Sequence, residues 1–226
     1  MTVETFNLES PLGFRGLHPD IPVKMYRRHL PHWRQQGATY FVTIRFADAL
    51  PQSTLQALRR WREQWECENP RPRNEDQWDE LARELTRRTE AWMDEGYGEC
   101  IFRQPSLAKV LAGTLLFFQD ERYITYCYTI MPNHCHVVVK PLDNFELEQI
   151  LDSWKGFVGH AVNKQLGRKG VLWQEESYDR IIRDEEHLYR VVQYIGNNAG
   201  KAGLPRQEWS RWIHPDWEAV NWRFDD

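Results

Sequence analysis

Hydrophobic and polar positions along the chain alternate between two periods. From Ala38 to Phe46, Thr39, Tyr40, Phe41, Val42, Thr43 and Ile44 are β-branched or aromatic, which predicts a strand. After Leu50-Pro51-Gln52-Ser53, with Ser53 as expected N-cap, the spacing turns helical to about Glu66. It pauses at Asn69-Pro70-Arg71-Pro72 and resumes from Glu75 to Asp94, with Trp61, Trp65, Trp78, Leu81, Leu85 and Trp92 as the expected seam of a helical hairpin. A third helix is expected over Ser106–Asp120. Strands follow at Tyr123–Ile130 and His134–Lys140, joined by a tight turn at Met131-Pro132-Asn133. Leu147, Ile150, Leu151, Trp154, Phe157, Val158 and Val162 mark a helix from Glu146 to Leu166. Val171–Arg183 reads as a bent strand, and Asp184 caps a last helix running to about Asn198.

A tight hairpin within the order strand, helices, strand, strand, helix, strand, helix implies an antiparallel sheet. The expected class is α+β, with a ferredoxin-like or RRM-like sheet, helices on one face and a charged helical-hairpin insertion at about 51–100. Three parts are expected: a basic, Gly- and Pro-punctuated irregular arm at 1–37, a domain at 38–204, and a Trp-rich tail at 205–226. The arm's basic patch is Lys24, Arg27, Arg28 and His29, then His32 and Arg34. It reads equally as a solvated tail or as an arm on nucleic acid.

The net charge of −4 argues mildly against nucleic acid, but its placement changes the picture. Residues 66–99 hold eleven acids against five arginines, which leaves the rest of the chain at +2. Local fields govern binding more than the sum does. No apolar run is long enough to span a bilayer, and Met1-Thr2-Val3-Glu4-Thr5 lacks the basic and apolar regions of a signal peptide. Cys67, Cys100, Cys127 and Cys135 form no Cys-x-x-Cys pair and read as free thiols of a cytoplasmic protein.

The candidate chemistry begins at His134-Cys135-His136. Residues two apart on a strand share a face, so both imidazoles point one way and Cys135, Val137 and Val139 the other. The pair is half of a metal site or a solvated strand rim, and spacing alone leaves both open. On the last helix, Leu188, Val191, Val192, Ile195 and Ala199 form a buried stripe. Tyr194 and Asn198, at i and i+4, share a face off that stripe. His187 lies on the same side, flanked by Arg190 and Lys201. A merely polar surface with one exposed tyrosine is the alternative.

The segment Tyr194-Ile195-Gly196-Asn197-Asn198-Ala199-Gly200-Lys201-Ala202-Gly203-Leu204 resembles the Tyr-Ile-x-x-Asn-Pro-Val-Lys-x-Gly-Leu stretch of the REP-associated tyrosine transposases. These are IS200-like, single-tyrosine enzymes of the HUH nuclease superfamily. Met131–His136 resembles their Met-Pro-Asn-His-hydrophobic-His motif. His29-Leu30-Pro31-His32-Trp33, Gly37–Thr43, Ile150–Lys155, Trp173-Gln174 and Tyr178–Glu185 are also similar, in order. The family's Pro-Val is Ala199-Gly200 here, a looser support for the residue before it.

The resemblance implies that His134, His136 and Asn198 bind a divalent metal, Mg²⁺ or Mn²⁺, and that Tyr194 is the nucleophile. It implies a cut beside hairpin (REP-type) single-stranded DNA through a 5′-phosphotyrosine that can rejoin strands. Lys155, Arg168, Lys169, Arg180, Arg183 and Lys201 are the candidate DNA contacts. Trp173 is a base-stacking residue or, alternatively, a core residue. The protein is expected to be a monomer or homodimer without a membrane partner. Two other readings are a hairpin-binding protein that has lost cleavage and a replication initiator or relaxase of the same superfamily.

Overall fold

The computed structural model describes residues 8–27 and 31–225; Arg28 and His29 of the basic patch lie outside them. Three β-rich runs of the sequence become strands β3 (Tyr40–Arg45), β4 (Tyr123–Ile130) and β5 (His134–Pro141). Two strands the patterning did not isolate, β6 (Tyr178–Ile181) and β7 (Ser210–Ile213), complete an antiparallel sheet of order β6-β3-β5-β4-β7. The turn at Met131-Pro132-Asn133 closes with Met131 N donating to His134 O at 2.9 Å.

The first four strands in this sheet carry the expected ferredoxin-like connectivity. Helices α3 (Pro105–Leu116) and α4 (Leu147–Gln165) cover one face of it. The expectation of helices on one face alone is corrected by α5 (Glu185–Lys201), which packs on the other. Period-2 alternation divides β5 between two cores. Cys135, Val137 and Val139 join α3 and α4, while Val138 joins Val191, Val192 and Ile195 of α5. All five apolar stripe residues of α5 are buried, so this helix is amphipathic because the sheet needs a second cover.

The helical insertion forms as α1 (Gln52–Glu68) and α2 (Glu75–Asp94). Its seam holds Trp65, Trp78 and Leu81, with Trp61 and Leu85 against them. Trp92, expected in the seam, is exposed, and α1 starts at Gln52 after Pro51 rather than after a Ser53 cap. Within the stretch read as an irregular arm, β1 (Lys24–Arg27) and β2 (Pro31–Arg34) pair as a hairpin. The C-terminal stretch supplies β7 and the short helix α6 (Pro215–Glu218). Trp217 and Trp222 are buried and donate to the carbonyls of Leu12 and Glu9. Among the described residues no helix is long and apolar enough to cross a membrane.

A buried charge network ties the β1–β2 hairpin to β6. Asp179 accepts from His32 Nδ1 at 2.5 Å and from the Arg34 guanidinium, and Glu176 accepts from His32 Nε2 at 2.9 Å. Arg34 also holds Glu148 of α4 at 2.6 Å. Burial alone would lower the pKa of His32, but Asp179 and Glu176 more than offset it and lift it to about 9. The pKa is raised by folding, so His32 contributes stability that is complete below about 6.5 and is lost as pH rises through about 9. The unfolding free energy is therefore expected to fall over that window, by on the order of 3 kcal/mol. Denaturant titrations should show the slope in the native protein and its loss in His32→Gln. An equal slope in both would contradict the assignment.

Candidate functional site

Strand β5 presents His134 and His136 to the face that α5 covers, with ring centroids 4.8 Å apart. Across the register, Arg45 of β3 stands opposite His134, while Thr43 of β3 and Thr129 of β4 stand opposite His136. Thr129 Oγ1 donates to the carbonyl of Ile195 at 2.8 Å, fixing α5 to the sheet one turn before Asn198. Both imidazoles are buried.

The hydrogen bonds select one tautomer for each ring. Asn133 Nδ2 donates to the carbonyls of Met93 and Tyr97, at 3.3 and 2.9 Å. Its Oδ1 can therefore only accept, and it takes the proton of His134 Nδ1 at 2.8 Å. His136 Nδ1 meets Thr43 Oγ1 at 2.8 Å, while its Nε2 faces Asn198 Nδ2 at 2.9 Å. Each Nε2 then carries a lone pair. Burial, reinforced by Arg45, pushes the pKa of His134 down to about 3, and burial followed by His134 holds that of His136 well below the ordinary range. Both rings are neutral at pH 7.

Two buried acceptors of this group, His134 Nε2 and Asn198 Oδ1, have no hydrogen-bond donor. Buried polar atoms without partners are rare and costly in folded proteins. His134 Nε2, the Asn198 amide oxygen and His136 Nε2, which accepts from Asn198 Nδ2, form a neutral nitrogen and oxygen donor set of the kind that suits a divalent cation once the Asn198 amide turns its oxygen toward the rings. Among the described residues no cluster of three or more His, Cys, Asp or Glu offers an alternative metal site. Asn133 and Thr43 hold the far nitrogens of the rings as outer partners of metal-binding histidines do.

Tyr194 belongs to the same group in the same chain. Its ring stands edge-on to His136 at 5.2 Å and to Phe41 at 5.8 Å, and Lys201 Nζ lies 5.3 Å from its centroid. The Ala199-Gly200 sequence does not interrupt α5, which runs on to Lys201; Asn198 O accepts from Ala202 N at 3.1 Å. His187 stands at the other end of the helix, its Nδ1 accepting from Arg183 N.

The six basic residues divide. Arg180 lies opposite Phe41 on the histidine face, Arg183 follows β6 and is exposed, and Lys201 adjoins Tyr194. On the α4 side, Lys155 is held by the carbonyls of Gln174 and Glu175, and Arg168 by Glu99 and Asn163. Lys169 is exposed beyond α4. Trp173 is a core residue, packed on Phe46 and Phe102. Sequence reasoning missed Thr43, Arg45, Thr129 and Asn133. Strand alternation carries a signal for the first two, and the motif position one for Asn133, which by itself looks like a turn residue.

Residues 114–198 match the family model described as "Transposase IS200 like". Among curated proteins none matches the chain. A solved structure described as a REP-associated tyrosine transposase bound to a REP hairpin is similar at 15% identity and a TM-score of 0.46, over 80% of this chain and 75% of that one. The stretch that builds the site, with His134, His136, Tyr194 and Asn198, is thus a match to the IS200-like transposases, the family its motifs resemble.

Proposed function

We propose that the protein is a transposase-type nuclease that cuts hairpin-bearing single-stranded DNA with Tyr194 as nucleophile. One observation carries the reading: within the family-matched stretch Tyr194 stands edge-on to His136, Asn198 meets His136 Nε2, and His134 Nε2 and the Asn198 amide oxygen are buried without a hydrogen-bond partner. A protein that only bound DNA would need none of them brought together.

His134, His136 and Asn198 would hold Mg²⁺ or Mn²⁺. When bound, such an ion draws charge from a non-bridging oxygen of the scissile phosphate. Tyr194 attacks the phosphorus as its phenol proton departs. An unperturbed phenol has a pKa near ~10, so the attack needs a cation near the hydroxyl, and Lys201 stands over the same ring. The bond from phosphorus to the 3′-oxygen breaks, that oxygen takes up a proton, and the 5′-phosphate stays on Tyr194. The ester retains the bond energy, so a 3′-hydroxyl can reverse the step and rejoin strands. Thr43 and Asn133 keep the imidazoles in the tautomer that offers Nε2.

A labelled hairpin oligonucleotide with a single-stranded flank is expected to become covalently attached in Mn²⁺, and Tyr194→Phe to abolish the adduct. An adduct surviving in Tyr194→Phe would refute the nucleophile. Because Tyr194 and His136 stand together in one chain, mixing Tyr194→Phe with His136→Ala protein should restore no adduct. Restoration to more than a few per cent of wild type would show that the tyrosine is supplied by a second copy. Asn133→Ala should weaken Mn²⁺ binding about 10–100-fold, measured calorimetrically, with the fold retained. Unchanged affinity would remove Asn133 from the site.

A further inference from the structure

Beside the histidine pair, between the sheet and the α1–α2 hairpin, lies a cavity of about 280 Å³. Thr43, Arg45 and Tyr178 line it from the sheet, and Arg59 and Thr86 from the hairpin. It shares a wall with the candidate site, because Thr43 is the hydrogen-bond partner of His136 and Arg45 the cross-strand neighbour of His134. Contacts on both sides dock the hairpin there. Thr86 is hydrogen-bonded to Tyr178, and the Met93 carbonyl accepts from Asn133.

Arg45 is the unusual member. It is half-buried, and its Nε donates to Gln174, a neutral amide. Among the described residues it makes no ion pair. Three carboxylates also line the cavity: Glu90, Glu175 and Glu176. Glu176 acts on Arg45 from a distance but is bonded to His32, Glu175 is exposed, and Glu90 acts on Tyr178. A half-buried guanidinium whose direct partner is a neutral amide, and whose nearby carboxylate Glu176 is engaged by His32, keeps donors for an anion entering the cavity. Guanidinium geometry suits a phosphate. The volume is just below the usual range of ligand pockets, roughly 300–1,000 Å³, which suits a single phosphodiester unit rather than a duplex. Leu55, Leu58 and Met93 add apolar surface for a sugar or base.

We propose that this cavity takes a phosphodiester of the single-stranded flank next to the cut, gripped by Arg45 from the sheet and Arg59 from α1. The proposal rests on the reading above that the substrate is single-stranded DNA. It gives the helical insertion a role, as the second wall of the strand channel.

The test compares a hairpin oligonucleotide carrying a flank with the same hairpin blunt, by fluorescence anisotropy across a salt series. Arg45→Gln and Arg59→Gln are each expected to weaken binding of the flanked DNA about tenfold. Each should also lower the slope of log affinity against log salt by about 0.7, with blunt-hairpin binding unchanged. Arg45→Lys should restore the slope. Arg59 is exposed on a helix, so Arg59→Gln carries the test even where Arg45→Gln fails to fold. Wild-type affinity for the flanked DNA in both Gln variants would overturn the proposal while leaving the nuclease reading intact. Wild-type protein binding neither DNA would overturn both.

Discussion

Everything at the site depends on the sheet being covered twice. A strand can aim two histidines at one face, but an uncovered face would leave them in water, where imidazoles exchange tautomers and partners freely. Helix α5 removes that freedom. Leu188, Val191, Val192 and Ile195 of its stripe pack with Val138 and Phe41, and Thr129 pins it through the Ile195 carbonyl. The same packing brings Asn198 to His136 and Tyr194 to the edge of its ring. The hydrophobic burial that closes the second face thereby assembles the polar group beneath it.

That burial has an electrostatic consequence. Neutral imidazoles are favoured over imidazolium, and both rings are held neutral by desolvation before any ligand arrives. The hydrogen bonds from Nδ1 then leave the Nε2 lone pairs available, that of His136 toward Asn198 and that of His134 without a partner. The insertion contributes from a distance. The carbonyls of Met93 and Tyr97 occupy the Asn133 amide nitrogen, so its oxygen is committed to His134. An element that looks like a decoration in sequence thus reaches a candidate ligand through one side chain.

Much of this was legible before the fold was known. Period-2 alternation at His134–Val139 placed the histidines together, and the i, i+4 spacing of Tyr194 and Asn198 placed them on one face of a helix. What sequence could not say was which face of the sheet that helix would choose. An apolar stripe declares that it will be buried, not against what. Strands β1, β2, β6 and β7 were missed as separate elements because each is only four residues long and too short for a period to register. Asn133 was hidden by its turn position, where asparagine is expected on backbone grounds alone. Arg45 was hidden because a charged residue ending a strand reads as solvated. Trp92 erred the other way: helical spacing put it on the seam of the hairpin, yet it is exposed.

The central claim is that the face between β5 and α5 is a cation site built from His134, His136 and Asn198. Pulsed electron paramagnetic resonance of the Mn²⁺-loaded protein tests it most directly. The account predicts nitrogen couplings from two imidazoles in the native protein, from one in His136→Gln, and from none when both histidines are replaced. A Mn²⁺ signal without imidazole nitrogen coupling in the native protein would contradict it.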